Sequence, residues 1–437
     1  MEFSETLSYL LSLGHETLAM KLGLKNTELL LGALDNPHHS FASVQIAGTN
    51  GKGSTAAMLD SICRQAGIRT GLFTSPHLIS ITERIKISGC EISPDEFAEL
   101  ATSVRAAAES LVARGLLQAL PTFFEHVTAI ALLAFKQGEV TLAILETGLG
   151  GRLDATTVAG ASIVAITSVA LDHQDYLGAT IAEIAAEKAA IIRPGTTAII
   201  AAQQEEANQV IRQRAAECEV EPLMADYKAS IEGATADGRF TVTFQTNRQR
   251  YESVNIALRG RHQVENSATA IRIAESLNQQ GWKIAKAAIL AGVATATHPG
   301  RLELIDGYLL DGAHNPSAAQ TLLGYLKDFV NVPLTLVFGA MRDKNLEEMA
   351  AILFPAAARL VLTQADTPRS ASAEELQEIA AAIGTPKAFV THSVRQALTT
   401  ANEVTLSPGL ICITGSLYLL GEAKAIMNAS ALTAEHS

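Results

Sequence analysis

The stretch Ile46-Ala47-Gly48-Thr49-Asn50-Gly51-Lys52-Gly53-Ser54 is the most informative part of this 437-residue sequence. Apolar residues precede it, and apolar residues at helical spacing follow from Ala56 to Ile62, which predicts a strand, a glycine-rich loop and a helix. Glycines allow a tight turn, and the start of a helix presents free N–H groups and the positive end of its dipole. The stretch therefore predicts a binding site for a polyphosphate.

Two side chains of this loop suit a nucleotide. Lys52 can reach the β- and γ-phosphates as a point charge, and Ser54 can place its hydroxyl on a Mg²⁺ ion that bridges them. The pattern departs from the general Walker A motif, since position 46 is Ile and Gly53 separates Lys52 from Ser54. From the residues alone, the alternative is a glycine-rich turn with a solvated lysine.

Composition limits the class of protein. A chain of this length is too long for one core, and 48% hydrophobic residues suffice for two or three. A net charge of −12 argues against a nucleic-acid surface. The four cysteines are scattered without zinc-type spacing, the N-terminus lacks a signal-peptide pattern, and no apolar run reaches about 18 residues. We expect a cytoplasmic protein with neither a nucleic-acid nor a membrane partner.

Two later strands are predicted to end in metal-ligand candidates. Val140 to Leu145 is a continuous apolar run typical of a buried parallel strand, and Glu146 follows it. A second run, Ser162 to Val169, leads to His173. Because open α/β sheets bind ligands at the carboxyl ends of their strands, we expect Glu146 and His173 at one site. A lone histidine at this place is also compatible with a loop hydrogen bond alone.

Changes of pattern divide the chain. Residues 1–42, including Leu22, carry helical periodicity, and short alternating runs from Val220 to Leu258 predict antiparallel hairpins. Strand–helix alternation resumes after the hinge-like stretch His298 to Glu303. We predict an α/β fold in two domains. A P-loop nucleotide-binding domain with a parallel sheet and a small appended antiparallel sheet spans residues 1–296, and a smaller Rossmann-like α/β domain spans residues 297–437.

About eight motifs make the chain resemble the Mur-ligase-like amide ligases, and within them the family of folylpolyglutamate synthase and dihydrofolate synthase. They occur in family order between residues 48 and 421, so the resemblance covers nearly the whole chain. Among them are Gly48 to Ser54, Ser75-Pro76-His77-Leu78, Pro121 to His126, Gly148-Leu149-Gly150-Gly151-Arg152-Leu153-Asp154-Ala155, Leu171 to Gly178, Gly260 to Ala268, Leu309 to Pro316 and Thr414 to Tyr418. Thr156-Thr157 replaces the family's usual Thr-Asn, and Asn345 stands where the family usually has Asp.

The resemblance implies an ATP site and a metal site. It assigns ATP binding to Gly48, Thr49, Asn50, Gly51, Lys52, Gly53, Ser54, Asn266, Arg301 and Asp311. Arg301 would reach the phosphates from the second domain on closure. Two Mg²⁺ ions would be held by Ser54, Ser75, Glu146 and His173.

Lys188 lies in the otherwise apolar helical stretch Ile181 to Ile192. A desolvated lysine has a lowered pKa, and its neutral amine can add CO₂ to become an anionic carbamate. The resemblance implies that this lysine is carbamylated and catalytic. The alternative is a lysine that extends its charged head into solvent.

The resemblance also implies the acceptor and amino-acid sites. Flat pterin and aminobenzoate rings suit aromatic contacts. The pteroate or folate substrate would contact Thr122, Phe123, Phe124, Glu125, Leu153, Asp154 and Ala155, with Asp154 bonding the pterin N–H groups. The catalytic His314 would lie where the incoming amino acid meets the acyl group, and Ser416 would help to form the glutamate pocket.

We therefore expect a monomeric ATP-dependent ligase that joins L-glutamate to dihydropteroate and to reduced folates. A monofunctional enzyme of either kind is the nearest alternative. Peptidoglycan ligases usually carry a UDP-binding domain before the phosphate loop, for which the 47 residues before Gly48 leave no room. A non-catalytic P-loop nucleotide switch is the alternative of a different class, although it has no use for Arg301 and His314 on a second domain.

Overall fold

The computed structural model describes residues 1–14, 23–224, 227–385 and 388–434, with side chains as far as residue 429. Within these residues the strands form three sheets of seven, three and six strands. The strands are β1 Ala42–Ala47, β2 Thr70–Phe73, β3 Ile85–Ile87, β4 Cys90–Glu91, β5 Leu142–Glu146, β6 Ile163–Ile166, β7 Thr197–Ile200, β8 Lys228–Ala234, β9 Phe240–Gln245, β10 Arg250–Asn255, β11 Glu303–Ile305, β12 Tyr308–Asp311, β13 Leu334–Phe338, β14 Arg359–Leu362, β15 Phe389–Val390 and β16 Leu410–Thr414.

Helices cover the faces of the two larger sheets. They are α1 Phe3–Ser12, α2 Lys25–Ala33, α3 Lys52–Gln65, α4 Pro94–Ala113, α5 Phe123–Gln137, α6 Gln174–Leu177, α7 Ile181–Ala189, α8 Glu205–Glu217, α9 Gln263–Gln279, α10 Lys286–Thr295, α11 Pro316–Phe329, α12 Leu346–Leu353, α13 Ala373–Ala382, α14 Val394–Val404 and α15 Leu417–Ala434. None of the described helices is both long and apolar enough to cross a membrane.

The first sheet has the order β4-β3-β2-β5-β1-β6-β7, in which β2, β5, β1, β6 and β7 are parallel. Strands β5 and β6 are buried along their whole length, as their continuous apolar runs predict. Four neighbouring strands, β2, β5, β1 and β6, therefore end side by side at one edge. The phosphate loop follows β1, and the segments that carry Ser75, Glu146 and His173 follow the other three.

The small antiparallel sheet has the order β10-β9-β8 and confirms the predicted hairpins. Its apolar face joins the core formed by α3, α9 and α10. The third sheet has the order β11-β12-β16-β13-β14-β15. Its strands are all parallel except the edge strand β11, which is antiparallel to β12. Its neighbouring strands β12, β16 and β13 lead to His314, Ser416 and Lys344, so a second set of side chains is gathered at one edge.

Several predicted elements end earlier than their apolar patterns suggested. The helix expected from Pro94 to Leu117 stops at Ala113, because Gly115 has a left-handed backbone with φ of 71°. Ser93 accepts a hydrogen bond from Glu96 N–H (3.1 Å) at its start. The strand predicted to Val169 stops at Ile166, and the helix predicted to Ile192 stops at Ala189. The periodicity predicted for residues 1–42 forms α1 and α2, while Leu22 lies outside the described residues.

Candidate active site

The phosphate loop runs from the end of β1 to the start of α3. Gly48 (φ 150°) and Gly51 (φ 88°) both have backbone angles that favour glycine. A Cβ at Gly48 would lie 1.9 Å from Thr167 Oγ1, and one at Gly51 would lie 2.4 Å from Asn266 Oδ1. A side chain at Gly48 would collide with Thr167, whereas one at Gly51 would displace the end of the Asn266 side chain, so the close approach at Gly48 depends on glycine.

The loop presents fewer N–H groups to a ligand than its glycines suggested. The N–H groups of Thr49 (2.8 Å) and Asn50 (3.2 Å) both donate to Ser168 O. The donors that remain include the N–H of Gly51 and those of the first turn of α3, which has no intrahelical partners for them. Phosphate binding at this loop would therefore rely on Gly51 and the helix start at Lys52, Gly53 and Ser54.

Two lysine ammonium groups approach the same carbonyl of this loop. Lys52 Nζ donates to Gly48 O (3.1 Å) and Thr49 O (3.2 Å), and the fully buried Lys188 Nζ donates to Gly48 O (2.8 Å). Burial and the neighbouring charge of Lys52 lower the pKa of Lys188 to about 7. The structure thus excludes the alternative in which Lys188 extends into solvent, and it gives Lys188 a large neutral fraction at neutral pH.

The metal-ligand candidates lie at the neighbouring strand ends. Glu146 is buried at the end of β5 and accepts a hydrogen bond from Ser75 N–H (3.2 Å), and burial raises the pKa of its carboxyl. Ser54 is buried in the first turn of α3. His173 has a left-handed backbone (φ 51°), and burial lowers its pKa to about 3, so the ring is neutral. Ser54, Ser75, Glu146 and His173 all line one cavity, together with the phosphate loop.

These residues fit a hard divalent cation. They offer hydroxyl and carboxylate oxygens, and the buried Nδ1 of His173 has no hydrogen-bond partner. Among the described residues no three His, Cys, Asp or Glu side chains form a group that could hold a metal ion. A site with this donor set suits Mg²⁺, which takes few protein ligands and completes its shell with water and phosphate oxygens.

The second domain contributes the opposite wall of this cavity. Arg301 donates to Gly312 O (3.1 Å), and the buried Asp311 accepts hydrogen bonds from Leu302 N–H and Ala313 N–H (3.0 Å each). Burial raises the pKa of Asp311 despite the charge of Arg301. Asn266, which approaches Gly51, lies on α9 and belongs to the first domain. The structure thus brings all ten predicted ATP-binding residues to the edge of one cavity.

Asp172 is the principal site residue that the sequence analysis did not assign. It pairs across the domain cleft with Lys344 Nζ (2.6 Å) and His314 Nε2 (3.5 Å), and it accepts a hydrogen bond from Asn315 Nδ2 (3.0 Å). Burial alone would raise the pKa of Asp172, but its hydrogen bond to His314 and the charge of the Lys344 ammonium hold it well below the usual range. Its place directly before His173 was the available sequence signal.

Two histidines beside the phosphate loop were also missed. A Cβ at Gly53 would lie 2.7 Å from His298 Nε2, and His262 Nε2 lies 3.0 Å from Gln263 Nε2. Burial and the charge of Arg301 lower the pKa of His298 to about 3 and that of His262 to about 4. Both rings are therefore neutral at pH 7 and add no positive charge to the phosphate site.

A second, more apolar cavity adjoins the first. Its lining includes Thr122, Phe124, Glu125, Leu153, Asp154, Ala155 and Ser416, and on its cationic side Arg152, Lys344 and Arg369. Phe123 instead packs in the core and does not line this cavity. Phe124 lies so close to Gly148 that a Cβ there would be 2.5 Å from its ring.

Asp154 organises the loop that forms one wall of this second cavity. Its Oδ2 accepts the N–H groups of Gly148 (2.8 Å) and Leu149 (3.0 Å), and its Oδ1 accepts the N–H (3.0 Å) and hydroxyl (2.5 Å) of Thr156. A carboxylate has about four lone-pair sites, so these bonds already use them. Glu125 is similarly engaged, because it accepts Thr122 N–H (2.7 Å) at the start of α5 and the Thr27 hydroxyl (3.1 Å).

The two cavities meet in the cleft between the domains. Ser75, His173 and His314 line both of them. His314 is oriented by its Nδ1, which lies 2.8 Å from Gly312 O, and by the Asp172 carboxylate on its other nitrogen. Ser416 Oγ accepts Leu419 N–H (3.0 Å) at the start of α15. A phosphate in the first cavity and a carboxylate in the second would therefore face each other near these three side chains.

Known families match both halves of the chain. The Mur ligase middle domain matches residues 46–274, and the Mur ligase glutamate ligase domain matches residues 300–417. A Bacillus subtilis dihydrofolate synthase/folylpolyglutamate synthase is 35% identical over 424 residues, which cover 94% of this chain and 96% of the relative. A probable bifunctional folylpolyglutamate synthase/dihydropteroate synthase of Halobacterium salinarum is 36% identical over 97% of this chain, but the chain spans only 51% of that relative's length.

Solved structures resemble the whole chain. E. coli FolC in complex with DHPP and ADP has a TM-score of 0.87 and 30% identity, with 99% of both chains covered. A bifunctional folylpolyglutamate synthase/dihydrofolate synthase with Mn, AMPPNP and L-glutamate bound has a TM-score of 0.85 and 29% identity, with 98% of both chains covered. Both similarities extend over the two domains and the cleft between them.

Proposed function

The chain belongs to the Mur ligase family and, within it, to the dihydrofolate synthases/folylpolyglutamate synthases, and from this membership we propose its reaction. It joins L-glutamate to dihydropteroate, giving dihydrofolate, and to the γ-carboxylate of reduced folates, giving folylpolyglutamates, at the expense of ATP. The observation that carries the proposal is the meeting of a phosphate-loop cavity and an apolar cavity at Ser75, His173 and His314.

The chemistry requires two transfers at this meeting point. A carboxylate is a poor acyl donor because its leaving group would be oxide. Its oxygen therefore attacks the γ-phosphorus of ATP, the bond to the β-phosphate oxygen breaks, and an acyl phosphate and ADP result. The α-amine of glutamate then attacks the acyl carbon, loses a proton, and expels phosphate from the tetrahedral intermediate to leave an amide.

Stabilising negative charge on the transferring phosphoryl group is the main catalytic task. Lys52 and the N–H groups at the start of α3 do this from the first domain. Arg301 does it from the second domain, so the arrangement is complete only when the domains face each other. Asn266 and Asp311 line the same cavity and would hold the nucleotide.

Divalent metal forms part of the proposal, with two Mg²⁺ ions held by Ser54, Ser75, Glu146 and His173. A bound cation would neutralise charge on the phosphate oxygens and align them. The neutral ring of His173, with its unpartnered buried Nδ1, and the buried carboxylate of Glu146 support these assignments. The Mn and AMPPNP bound by the bifunctional relative support a metal–nucleotide complex in this chain as well.

Lys188 is proposed to carry a carbamate. The neutral amine adds to CO₂ and loses a proton, which gives an anionic carbamate and requires no other reactant. The pKa of about 7 and the burial of the Lys188 side chain support this chemistry, since an exposed lysine would be almost entirely protonated. The negative charge would lie beside the phosphate loop, where Lys52 provides a counter-charge.

The amino-acid side of the reaction is assigned to the second domain. His314 faces both cavities and is the candidate to orient the glutamate amine and remove its proton. Asp172 orients the imidazole from the first domain. Ser416 would contact the incoming glutamate at the start of α15.

The acceptor would occupy the apolar cavity. Phe124 offers a ring face, and Thr122, Glu125, Leu153 and Ala155 complete the wall. Asp154 contributes by holding this wall in shape, and any bond it makes to the pterin would compete with the four it already has. The Leu153-Asp154-Ala155 motif favours acceptance of dihydropteroate, with a monofunctional enzyme of either kind as the alternative.

A non-catalytic nucleotide switch is less well supported. Arg301, His314 and Lys344 of the second domain lie at the same cleft as the phosphate loop. Two contacts join the domains there: Lys344 pairs with Asp172, and Asn315 donates a hydrogen bond to Asn50. A protein that only bound nucleotide would need no acceptor cavity at that cleft. The proposal also includes a monomeric, cytoplasmic enzyme, which rests on the family resemblance.

The proposal is tested by ATP- and Mg²⁺-dependent incorporation of labelled L-glutamate, run in parallel with dihydropteroate and with a reduced folate. Incorporation with both acceptors is expected. Incorporation with only one would select a monofunctional enzyme. Incorporation with neither, in a preparation that binds ADP, would refute the proposed reaction.

A further inference from the structure

The loop between β2 and β3, residues 74–84, is a single hydrogen-bonded unit. Its ends are joined by Thr74 N–H donating to Arg84 O (3.0 Å). Inside it, the Glu83 carboxylate accepts three consecutive N–H groups, from Leu78 (2.8 Å), Ile79 (2.8 Å) and Ser80 (2.7 Å). Because these hydrogen bonds hold the loop together, a displacement of one of its residues also displaces the others.

One side of this loop lies at the metal-ligand candidates. Ser75 N–H donates to Glu146 Oε2 (3.2 Å), so the position of the Ser75 hydroxyl is tied to the end of β5. Ser75 also lines both cavities. A displacement of the loop would therefore move Ser75, a candidate metal ligand, and weaken the hydrogen bond from its N–H to Glu146, a second candidate ligand.

The other side of the loop is pressed against the second domain. Leu78 packs against the apolar core beneath α15. A Cβ built at Gly421, in the second turn of α15, would lie 1.8 Å from Leu78 O and 2.8 Å from Leu78 C. Gly300 makes a looser approach, with a Cβ that would lie 3.1 Å from Leu78 Cδ1. Only a glycine at position 421 lets the helix come this close to the carbonyl.

The segments that touch Leu78 also carry residues of the candidate site. Gly421 is on α15, whose first turn is capped by Ser416, and Gly300 directly precedes Arg301. One residue of the first domain thus contacts two segments of the second domain that reach the cleft, Gly421 through its backbone carbonyl and Gly300 through its side chain. Leu78 therefore lies between the loop that carries Ser75 and the segments that carry Arg301 and Ser416.

We propose that Gly421 is a positioning residue: its close approach to the Leu78 carbonyl seats the second domain on the Ser75 loop and so couples binding of the metal–nucleotide complex to the placing of Arg301 and Ser416. The coupling rests on the proposed function for the roles of Ser75, Arg301 and Ser416. The steric contact between Gly421 and Leu78 does not depend on it.

The size of the effect follows from the contact. Since a Cβ does not approach a carbonyl oxygen closer than about 3.0 Å, alanine at position 421 requires helix and loop to separate by about 1.2 Å. Neither neighbour can yield by a side-chain rotation, because the contact is with backbone. A misplacement of about 1 Å costs on the order of 10²-fold in rate, and disturbing the groups that support metal ligands costs about 10- to 100-fold in metal affinity.

The experiment compares Gly421→Ala with Gly324→Ala in the full chain. Gly324 is the matched control, because it lies inside α11 of the same domain and a Cβ there has no atom within 4 Å. Both changes replace a helical glycine by alanine and gain the same intrinsic helix propensity. We measure Mn²⁺-dependent binding of AMPPNP by calorimetry, binding of ADP without metal, and kcat and KM for glutamate ligation.

For Gly421→Ala we expect Mn²⁺-dependent AMPPNP binding at least 10-fold weaker and kcat 10- to 100-fold lower, with ADP binding unchanged. Gly324→Ala should match the wild type in all three. A Gly421→Ala protein that only melts at a lower temperature, with Mn²⁺ affinity and kcat preserved, overturns the proposal.

Leu78→Ala keeps the test decisive if Gly421→Ala does not fold. It leaves the Leu78 carbonyl against Gly421 but removes the side-chain packing that holds the loop on the second domain, and should also raise the Mn²⁺ concentration needed for AMPPNP binding. An unchanged requirement overturns the proposal. If the wild type ligates no glutamate, the proposed reaction fails on its own, and the Mn²⁺ measurements still decide whether Gly421 positions the loop.

Discussion

The chemistry of Lys188 leads to the most specific prediction, which is that the enzyme depends on CO₂. Two changes test this dependence: dissolved CO₂ and bicarbonate are removed from the assay of the wild type, and Lys188→Met keeps a buried apolar chain but removes the amine. Activity should fall in CO₂-free buffer and return when bicarbonate is added. Lys188→Met should be inactive under both conditions, because it cannot form a carbamate.

The surroundings of Lys188 Nζ set the fraction of the amine that is neutral and can react with CO₂. Burial and the charge of Lys52 bring the pKa of Lys188 to about 7 from the usual 10.5, so about half of the amine is neutral at pH 7. An ordinary lysine would be neutral to only about 0.03% at that pH, a difference on the order of 10³-fold in reactive amine. The neutral fraction rises with pH, from about one tenth at pH 6 to about nine tenths at pH 8.

The assay has two readouts. Glutamate incorporation is measured between pH 6 and 8 at fixed bicarbonate, and the carbamate itself is sought by carbon-13 NMR with labelled bicarbonate. One labelled carbon per chain should appear in the wild type and be missing from Lys188→Met. Lys136→Met is the control, because the Lys136 ammonium is partly exposed and pairs with Asp35 at the surface (2.9 Å).

A wild-type enzyme that retains full activity without CO₂ and shows no carbamate signal would falsify the prediction that Lys188 acts as a carbamate. The depressed pKa would then serve only to lower the positive charge beside the phosphate loop. Loss of activity at low pH without any dependence on bicarbonate would contradict it equally, since another titrating group would be responsible.

Three further changes test the remaining assignments. Lys52→Ala should lower kcat by about 10²-fold or more with either acceptor; appreciable ligation would remove the phosphate-loop assignment. Asp154→Ala should reduce kcat/KM for dihydropteroate and for tetrahydrofolate to a similar extent, because the carboxylate holds the wall of the shared cavity through four hydrogen bonds; a larger loss with dihydropteroate would assign Asp154 a direct contact with the pterin. Asp172→Asn should lower the free energy of unfolding by about 2 kcal/mol in denaturant titrations, because it removes the nearer of the two carboxylates that pair with the half-buried Lys344; an unchanged midpoint would show that the pair is not a net stabiliser.

Much of the fold could be read from local patterns. The apolar runs before Glu146 and His173 predicted buried parallel strands, and their carboxyl ends meet the phosphate loop at one edge of the sheet. The hairpins between residues 220 and 258 were predicted from alternation alone. Element ends were less accurate, because turn residues such as Gly115 end helices whose apolar pattern continues beyond them.

The candidate site was only partly readable. Phe123 and Phe124 are adjacent and similar in sequence, yet one packs in the core and the other lines the cavity. A pattern of adjacent aromatic residues does not specify which ring faces a ligand. Asp154 was expected to bind the pterin, but four hydrogen bonds from its own loop engage its carboxylate.

The sequence was enough to indicate the local chemistry of this protein: a glycine-rich phosphate loop, strands that end in candidate ligands, and the order of the motifs. These features depend on neighbours along the chain, so they leave a pattern that can be recognised. Only the tertiary structure paired Asp172 with Lys344, 172 residues away, and Leu78 with Gly421. Such contacts depend on how two domains pack, and no periodicity along the chain records them.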